Sequence, residues 1–403
     1  MLNQISGGVC AAKGFTAAGV HCGVKAGSSP DKNDLALILS EKECAAAATY
    51  TMNRVKAAPL YVTMDHLENG VAWGVVANSG NANACCPQSH ENAEAMSVSA
   101  AAATGREPGD FVVASTGVIG QTINISAIQA GLPQAAAALS ADGSDAAAHA
   151  IMTTDTVKKE IAVSLTIGGK EVRLGAIAKG SGMIHPNMGT MLAFITTDCA
   201  ITHEMLSDAL HEVVARTFNR VTVDGDTSTN DMCVVLANGM AGNSLIEWKD
   251  QDYETFLAAL EEVCRYLSRA IAGDGEGASK LVTCKMHGAR SEESAERLAK
   301  AVVGSSLVKA AMFGADANWG RVLCAMGYSK APFRPEHVDV SFCSQAGSIL
   351  VCKQGDGVDF DEDKAKTILT EKEVIIDVDL HEGDESAECW GCDLTYDYVK
   401  ING

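Results

Sequence analysis

The sequence predicts a mixed α/β fold, and three observations support that prediction. Apolar runs of strand length alternate with longer amphipathic or alanine-rich segments along the whole chain. Glycine- and asparagine-rich turns punctuate those runs, as at Asn78-Ser-Gly-Asn-Ala-Asn83 and Gly168-Gly169. The chain has 403 residues, 47% of them hydrophobic and 20% charged, enough length and apolar content for a large core. Mixed sheets packed with helices are the expected architecture.

In chain order, residues 35–39 and 71–77 read as buried strands, the second ending in the Asn78–Asn83 turn. Residues 91–103 are alanine-rich and helical, and 111–115 form a strand running into Thr116-Gly117. Residues 161–167 and 170–178 flank Gly168-Gly169 as the two arms of a hairpin, since adjacent glycines tolerate positive φ. Thr202 caps a helix from 203 to about 219, with Met205, Leu206, Leu210, Val213 and Val214 in one stripe. Further helices are expected over 252–272, 293–304 and 361–369. A strand is expected over 281–286, with a terminal strand pair at 373–380 and 387–399. The best domain boundary lies at 239–243, giving an approximate C-terminal subdomain of 241–403.

A formal net charge of −20 without any basic run argues against nucleic acid or an anionic membrane as partner. No run approaches the ~20 apolar residues of a membrane-spanning helix, and the N-terminus lacks the basic-then-apolar pattern of a secretory signal. Fourteen cysteines in a large chain of this kind fit reduced thiols in the cytoplasm.

The chemistry-bearing stretch runs from Lys179 through Gly189-Thr190 to Asp198, with an apolar run directly behind the threonine. A threonine hydroxyl is a poor nucleophile without an adjacent base. Cutting the bond before Thr190 would free its own α-amine for that task, and such an amine has an ordinary pKa of about 7.7–8. In the uncut chain the Thr190 hydroxyl would attack the Gly189 carbonyl. The competing reading is a threonine that merely enters a buried strand. An acyl-transfer nucleophile also needs donors for its oxyanion. The Thr116 hydroxyl and the Gly117 N–H, at a strand end, are the candidates, with an ordinary strand-ending turn as the alternative. Glu276, between Gly275 and Gly277, suits a substrate ammonium or a solvated loop; the segment lacks phosphate-loop spacing.

Together the motifs resemble the ornithine acetyltransferase family, the bifunctional ArgJ family of arginine biosynthesis. The resemblance rests on Asn78–Ala84, Ser115–Gly120, Met152-Thr-Thr-Asp-Thr156, the 179–198 block, Gly273–Lys280, Gly314–Arg321 and Asp393–Asn402. It implies an aminopeptidase-like α/β fold cut autocatalytically between Gly189 and Thr190, into an α chain of 1–189 and a β chain of 190–403. It further implies an α2β2 heterotetramer and acetyl transfer from N2-acetylornithine to glutamate through an acetyl-Thr190 intermediate. Thr116 and Gly117 match the family's oxyanion-hole pair. Thr153, Lys179, Thr190, Glu276 and Asn402 match its substrate contacts, with Thr154 the neighbouring alternative to Thr153. No bound cofactor or metal is implied, and acetyl-CoA is a candidate co-substrate. The sequence departs from the family in having Gly189 where alanine is usual, and in ending at Gly403 before the last substrate-contacting hydroxyl residue.

Cys389-Trp-Gly-Cys392 has redox or zinc-half-site spacing but is a single pair opening a strand-like segment, so packed thiols are expected. His185 is expected to be a loop residue, since a free α-amine leaves no need for another base. Two rival functions stand beside acetyl transfer: a self-processed N-terminal-nucleophile aminopeptidase or amidohydrolase, and an uncleaved amino-acid-binding protein.

Overall fold

The computed structural model describes residues 2–185 and 191–403. They form two compact units, one of residues 2–180, 191–219 and 227–267, the other of 181–185, 220–226 and 268–403.

The first unit is built on a nine-stranded mixed sheet. Its path runs Asn3–Ile5, Lys159–Ile167, Lys170–Lys179, Leu192–Thr197, Met232–Ala237, Leu35–Tyr50, Val71–Asn78 and Phe111–Ser115, with Phe15–Val20 paired to Leu35–Tyr50. Side chains alternate across a strand, and here the alternation sorts residues into two cores on opposite faces. Ala36, Ile38, Val75, Ala77, Val112 and Ala114 enter one core with Ala147 and Phe194. Leu35, Leu37, Val76, Phe111 and Val113 enter the other with Met96, Ile128 and Leu132. Leu192–Thr197 lies between an antiparallel neighbour, Lys170–Lys179, and a parallel one, Met232–Ala237. All six of its residues are buried, and Leu192 to Ile195 read as an apolar run and not as an alternating one.

The second unit has a seven-stranded sheet ordered Asp356–Gly357, Gly347–Lys353, Asp339–Ser344, Glu373–Asp379, Leu281–Ala289, Glu385–Cys392 and Val221–Thr222. The helices Glu292–Gly304, Ser306–Phe313, Trp319–Gly327 and Glu362–Leu369 share one core with this sheet. Their N-terminal N–H groups are met by the side chains of Ser291, Ser305, Asn318 and Asp361.

The expected mixed α/β architecture is present, and most expected elements lie within a few residues of their predicted bounds. Three differences have physical causes. The strand predicted over 35–39 continues to Tyr50, because alanines 45–48, helix formers in isolation, pair with Met232–Ala237. The strand predicted over 387–399 stops at Cys392, and Tyr396–Asn402 is a helix. Thr395 caps it by accepting the Asp397 N–H at 3.1 Å, a signal hidden behind β-forming tyrosines and a valine.

The segment 239–243, where the sequence suggests a boundary and the start of a 241–403 subdomain, lies inside the first compact unit. Asn243 accepts the Ala200 N–H at 2.9 Å and donates to the Ala200 carbonyl at 3.1 Å, so this turn is anchored and not a linker. The division falls at 267/268, within the helix Gln251–Gly273. Nor does the 189/190 division follow the units, since residues 181–185 belong to the second.

Candidate active site

Thr116 follows the strand Phe111–Ser115 and is buried. Its backbone N–H donates to the Asn78 carbonyl at 3.0 Å. The Ser115 hydroxyl donates to Asn78 Oδ1 at 2.7 Å, and Asn78 Nδ2 reaches the Asn81 carbonyl at 3.0 Å. Asn230 closes the network, its Nδ2 donating to the Ala82 and Ser115 carbonyls at 2.6 and 2.8 Å. The asparagine-rich turn and the strand end are thus locked together by buried amides, which rigidify only when every group is paired. Among the described residues the Thr116 hydroxyl itself has no hydrogen-bond partner. Gly117 has φ +135°, and a Cβ there would lie 2.4 Å from the Gly80 carbonyl carbon, so this crossing admits glycine alone.

Lys179 is the buried last residue of the strand Lys170–Lys179. Asp155 is its electrostatic partner. One Asp155 oxygen accepts Lys159 Nζ at 2.7 Å and the Gly180 N–H at 2.7 Å, while the other accepts the Thr153 N–H at 3.1 Å. The Asp155 and Lys159 side chains are fully buried. Burial alone would raise the Asp155 pKa. The charge of Lys179, then that of Lys159 and the Gly180 N–H, overcome burial and lower it to about 2. Thr153 is half-buried, and its carbonyl accepts Lys32 Nζ at 3.2 Å; Thr154 is exposed. Thr153 and Lys179 are therefore gathered around one carboxylate within the first unit.

In the second unit, the Glu276 N–H donates to the Ser181 carbonyl at 3.0 Å. The Ser181 hydroxyl donates to the Asp274 carbonyl at 2.7 Å. Asn402, on the terminal helix, donates from Nδ2 to Glu276 Oε2 at 2.7 Å. A Cβ on Gly182 would stand 2.3 Å from the Glu276 carboxylate, so the second glycine of Lys179-Gly-Ser-Gly182 makes room for that acid. Sequence-predicted Glu276 and Asn402 thus meet.

Gly189 and Thr190 lie outside the described residues. The next residue, Met191, is buried, and its carbonyl accepts the Met232 N–H at 2.9 Å at the entry to the central strand. His185 accepts or donates at Nδ1 to the Thr222 hydroxyl, 3.0 Å away. Burial, then the charge of Lys300, lowers its imidazole to about 4. Cys389 and Cys392 are buried on one strand, and a spacing of three directs them to opposite faces, which prevents them from closing on one ligand. All fourteen cysteines are free thiols. Among the described residues no cluster of His, Cys, Asp or Glu is placed to hold a metal, and no helix is long and apolar enough to cross a membrane.

Two site residues escaped the sequence reading. Asp155 stood inside the quoted Met152–Thr156 block, but its partners Gly180 and Lys179 are 24 or more residues away in sequence, beyond any local spacing rule. Asn230 lies in an ordinary-looking polar loop, 115 residues from Ser115.

The ArgJ family model matches residues 16–403. The arginine biosynthesis bifunctional protein ArgJ of Symbiobacterium thermophilum is 52% identical over 403 residues, covering 100% of this chain and 99% of the relative. ArgJ 1 of Clostridium acetobutylicum is 50% identical over 390 residues, covering 96% of this chain and 95% of the relative. Among solved structures, the ArgJ protein of Bacillus halodurans matches at 46% identity and TM-score 0.50, covering 52% of this chain and 97% of the solved one. With a match of that extent joined to the geometry above, the chain belongs to the ArgJ family.

Proposed function

We propose that this chain cuts itself between Gly189 and Thr190, and then moves an acetyl group from N2-acetylornithine to glutamate through an ester on the Thr190 hydroxyl, a step of arginine biosynthesis. Membership of a family whose relatives are named arginine biosynthesis bifunctional proteins supports the reading. Cleavage has separate support: 97% of the Bacillus halodurans solved chain accounts for only 52% of this one, as one half of a cut protein would.

In the proposed reaction the α-amine of Thr190 takes the hydroxyl proton as Oγ1 attacks the acetyl carbonyl. The developing oxyanion is met by the Thr116 hydroxyl and the Gly117 N–H, and losing one such donor typically costs about 3 kcal/mol of transition-state stabilisation. The resulting ammonium returns its proton to the departing ornithine amine. Glutamate's amine then attacks the ester, and the same groups act in reverse. Lys179 is the partner of a substrate carboxylate, with Thr153 beside it. Glu276, oriented by Asn402, is the partner of a substrate ammonium.

The observation that carries acetyl transfer is the match to the ArgJ family over residues 16–403; the Glu276–Asn402 contact of 2.7 Å adds a carboxylate held in a fixed orientation for a substrate ammonium. Purified protein given acetylornithine and glutamate should form N-acetylglutamate. Acetate without acetylglutamate would support the aminopeptidase or amidohydrolase reading instead. Two bands on a denaturing gel, one beginning Thr-Met-Leu-Ala, are expected from cleavage. An α2β2 assembly, a cytoplasmic location and acetyl-CoA as a second acetyl donor belong to the same proposal. Glutamate acetylation from acetyl-CoA without acetylornithine tests the last.

A further inference from the structure

We infer that Asp155 is a positioning residue for carboxylate recognition: it ties the Thr153 segment to the end of the Lys179 strand and thereby aims the Lys179 ammonium at the substrate carboxylate. This rests on the reading above, in which Lys179 meets that carboxylate.

Three donors converge on Asp155: the Thr153 N–H and the Lys159 ammonium from its own segment, and the Gly180 N–H from the end of the Lys179 strand, 25 residues away. Lys159 opens the strand Lys159–Ile167, and its register partner across the hairpin is Ala178, next to Lys179. Asp155 is therefore anchored to the strand beside Lys179 as well as to the residue after it. A lysine is a point charge on a flexible stem with rotatable donors, so its direction has to be set by its surroundings. With the Asp155 and Lys159 side chains fully buried, water cannot screen this arrangement or stand in for the carboxylate. A cap or turn needs no such arrangement: one backbone N–H on an exposed acid would suffice. Here the acid is buried and joins the two segments that hold the proposed contacts.

The test compares two acetyl donors, N2-acetylornithine and N-acetylputrescine, the same molecule without its carboxylate. In cleaved wild-type enzyme with glutamate as acceptor, kcat/KM should favour acetylornithine. Asp155→Asn should reduce this preference about tenfold, the size of one hydrogen bond to a charged group, mainly through KM. In a Lys179→Met background, adding Asp155→Asn should reduce the preference no further, because the lysine through which it acts is gone. Asp155→Glu keeps the charge but displaces the carboxylate by one methylene; it should also lower the preference, and it serves if the asparagine variant does not fold or process. Equal losses on both donors, an unchanged preference in the glutamate variant, or additive losses in the double variant would each overturn the inference. If wild type does not distinguish the two donors, the carboxylate role of Lys179 fails first, a result separable from failure at Asp155.

Discussion

The Asp155 cluster of the first unit, proposed to serve a substrate carboxylate, and the Glu276 cluster of the second, proposed to serve a substrate ammonium, are built on different terms. Around Asp155, charges are buried, multiply bonded and set by strand ends. Around Glu276, a half-buried acid in a glycine-flanked turn meets an exposed asparagine on the last helix. In low dielectric a lost charge leaves its partner stranded, whereas near solvent water replaces part of what is removed. Equivalent substitutions should therefore cost more in the first cluster than in the second.

The largest expected effect precedes that comparison. Thr190→Ala should abolish both cleavage and acetyl transfer, read as a single band on a denaturing gel and no acetylglutamate. A variant that is still cut would detach both clusters from a shared nucleophile. Lys179→Met should then lower kcat/KM about 100-fold, the upper range for a charge-assisted bond in a dry site. Glu276→Gln, nearer solvent, should cost about tenfold, chiefly in KM for the amine-bearing substrate. Equal losses at the two positions would break the contrast.

Acid sharpens it further. His185 in the second unit has its imidazole lowered from 6.5 to about 4, so the unfolded chain takes up a proton before the folded one does. Its contribution to stability is present above pH 6.5 and is lost as pH falls from there to about 4. Asp155 in the first unit is lowered from 3.8 to about 2, so its contribution holds above 3.8 and is lost only as pH falls toward 2. Amide exchange near residues 220–226 should therefore rise at milder acidity than exchange near 153–159. His185→Gln should flatten the earlier change, and simultaneous loss in both regions would contradict the assignment. The smallest effect is expected of Asn402→Ala, about threefold in KM, as befits one exposed neutral donor near solvent.

Much of this was legible in the sequence because it rests on local chemistry. The Gly168-Gly169 turn, the capped helix beginning at His203 and the buried run after Thr190 each depend on neighbours a few residues away, and each is present. Thr116-Gly117 and Glu276 are candidates from residue type and neighbouring glycines, while the substrate-contact role of Lys179 comes from the family resemblance. The terminal helix did not, because Tyr396, Tyr398 and Val399 favour strands and Thr395 outweighs them only as a cap. The unit boundary was illegible for a simpler reason: it falls inside a continuous helix with no change of composition.

The order of motifs, the alternation of apolar runs and the residue types available for acyl transfer are properties of the linear chain, since period and side-chain chemistry need no partner from afar. The convergence of Thr153, Lys159 and Gly180 on Asp155, the lodging of Glu276 over Gly182, and the locking of Ser115 by Asn230 belong to the folded molecule. Except for the local Thr153 and Lys159 contacts, which lie two and four residues from Asp155, those arrangements join residues far apart along the backbone. Sheet register and burial bring such residues together, and neither is written in any short stretch of sequence.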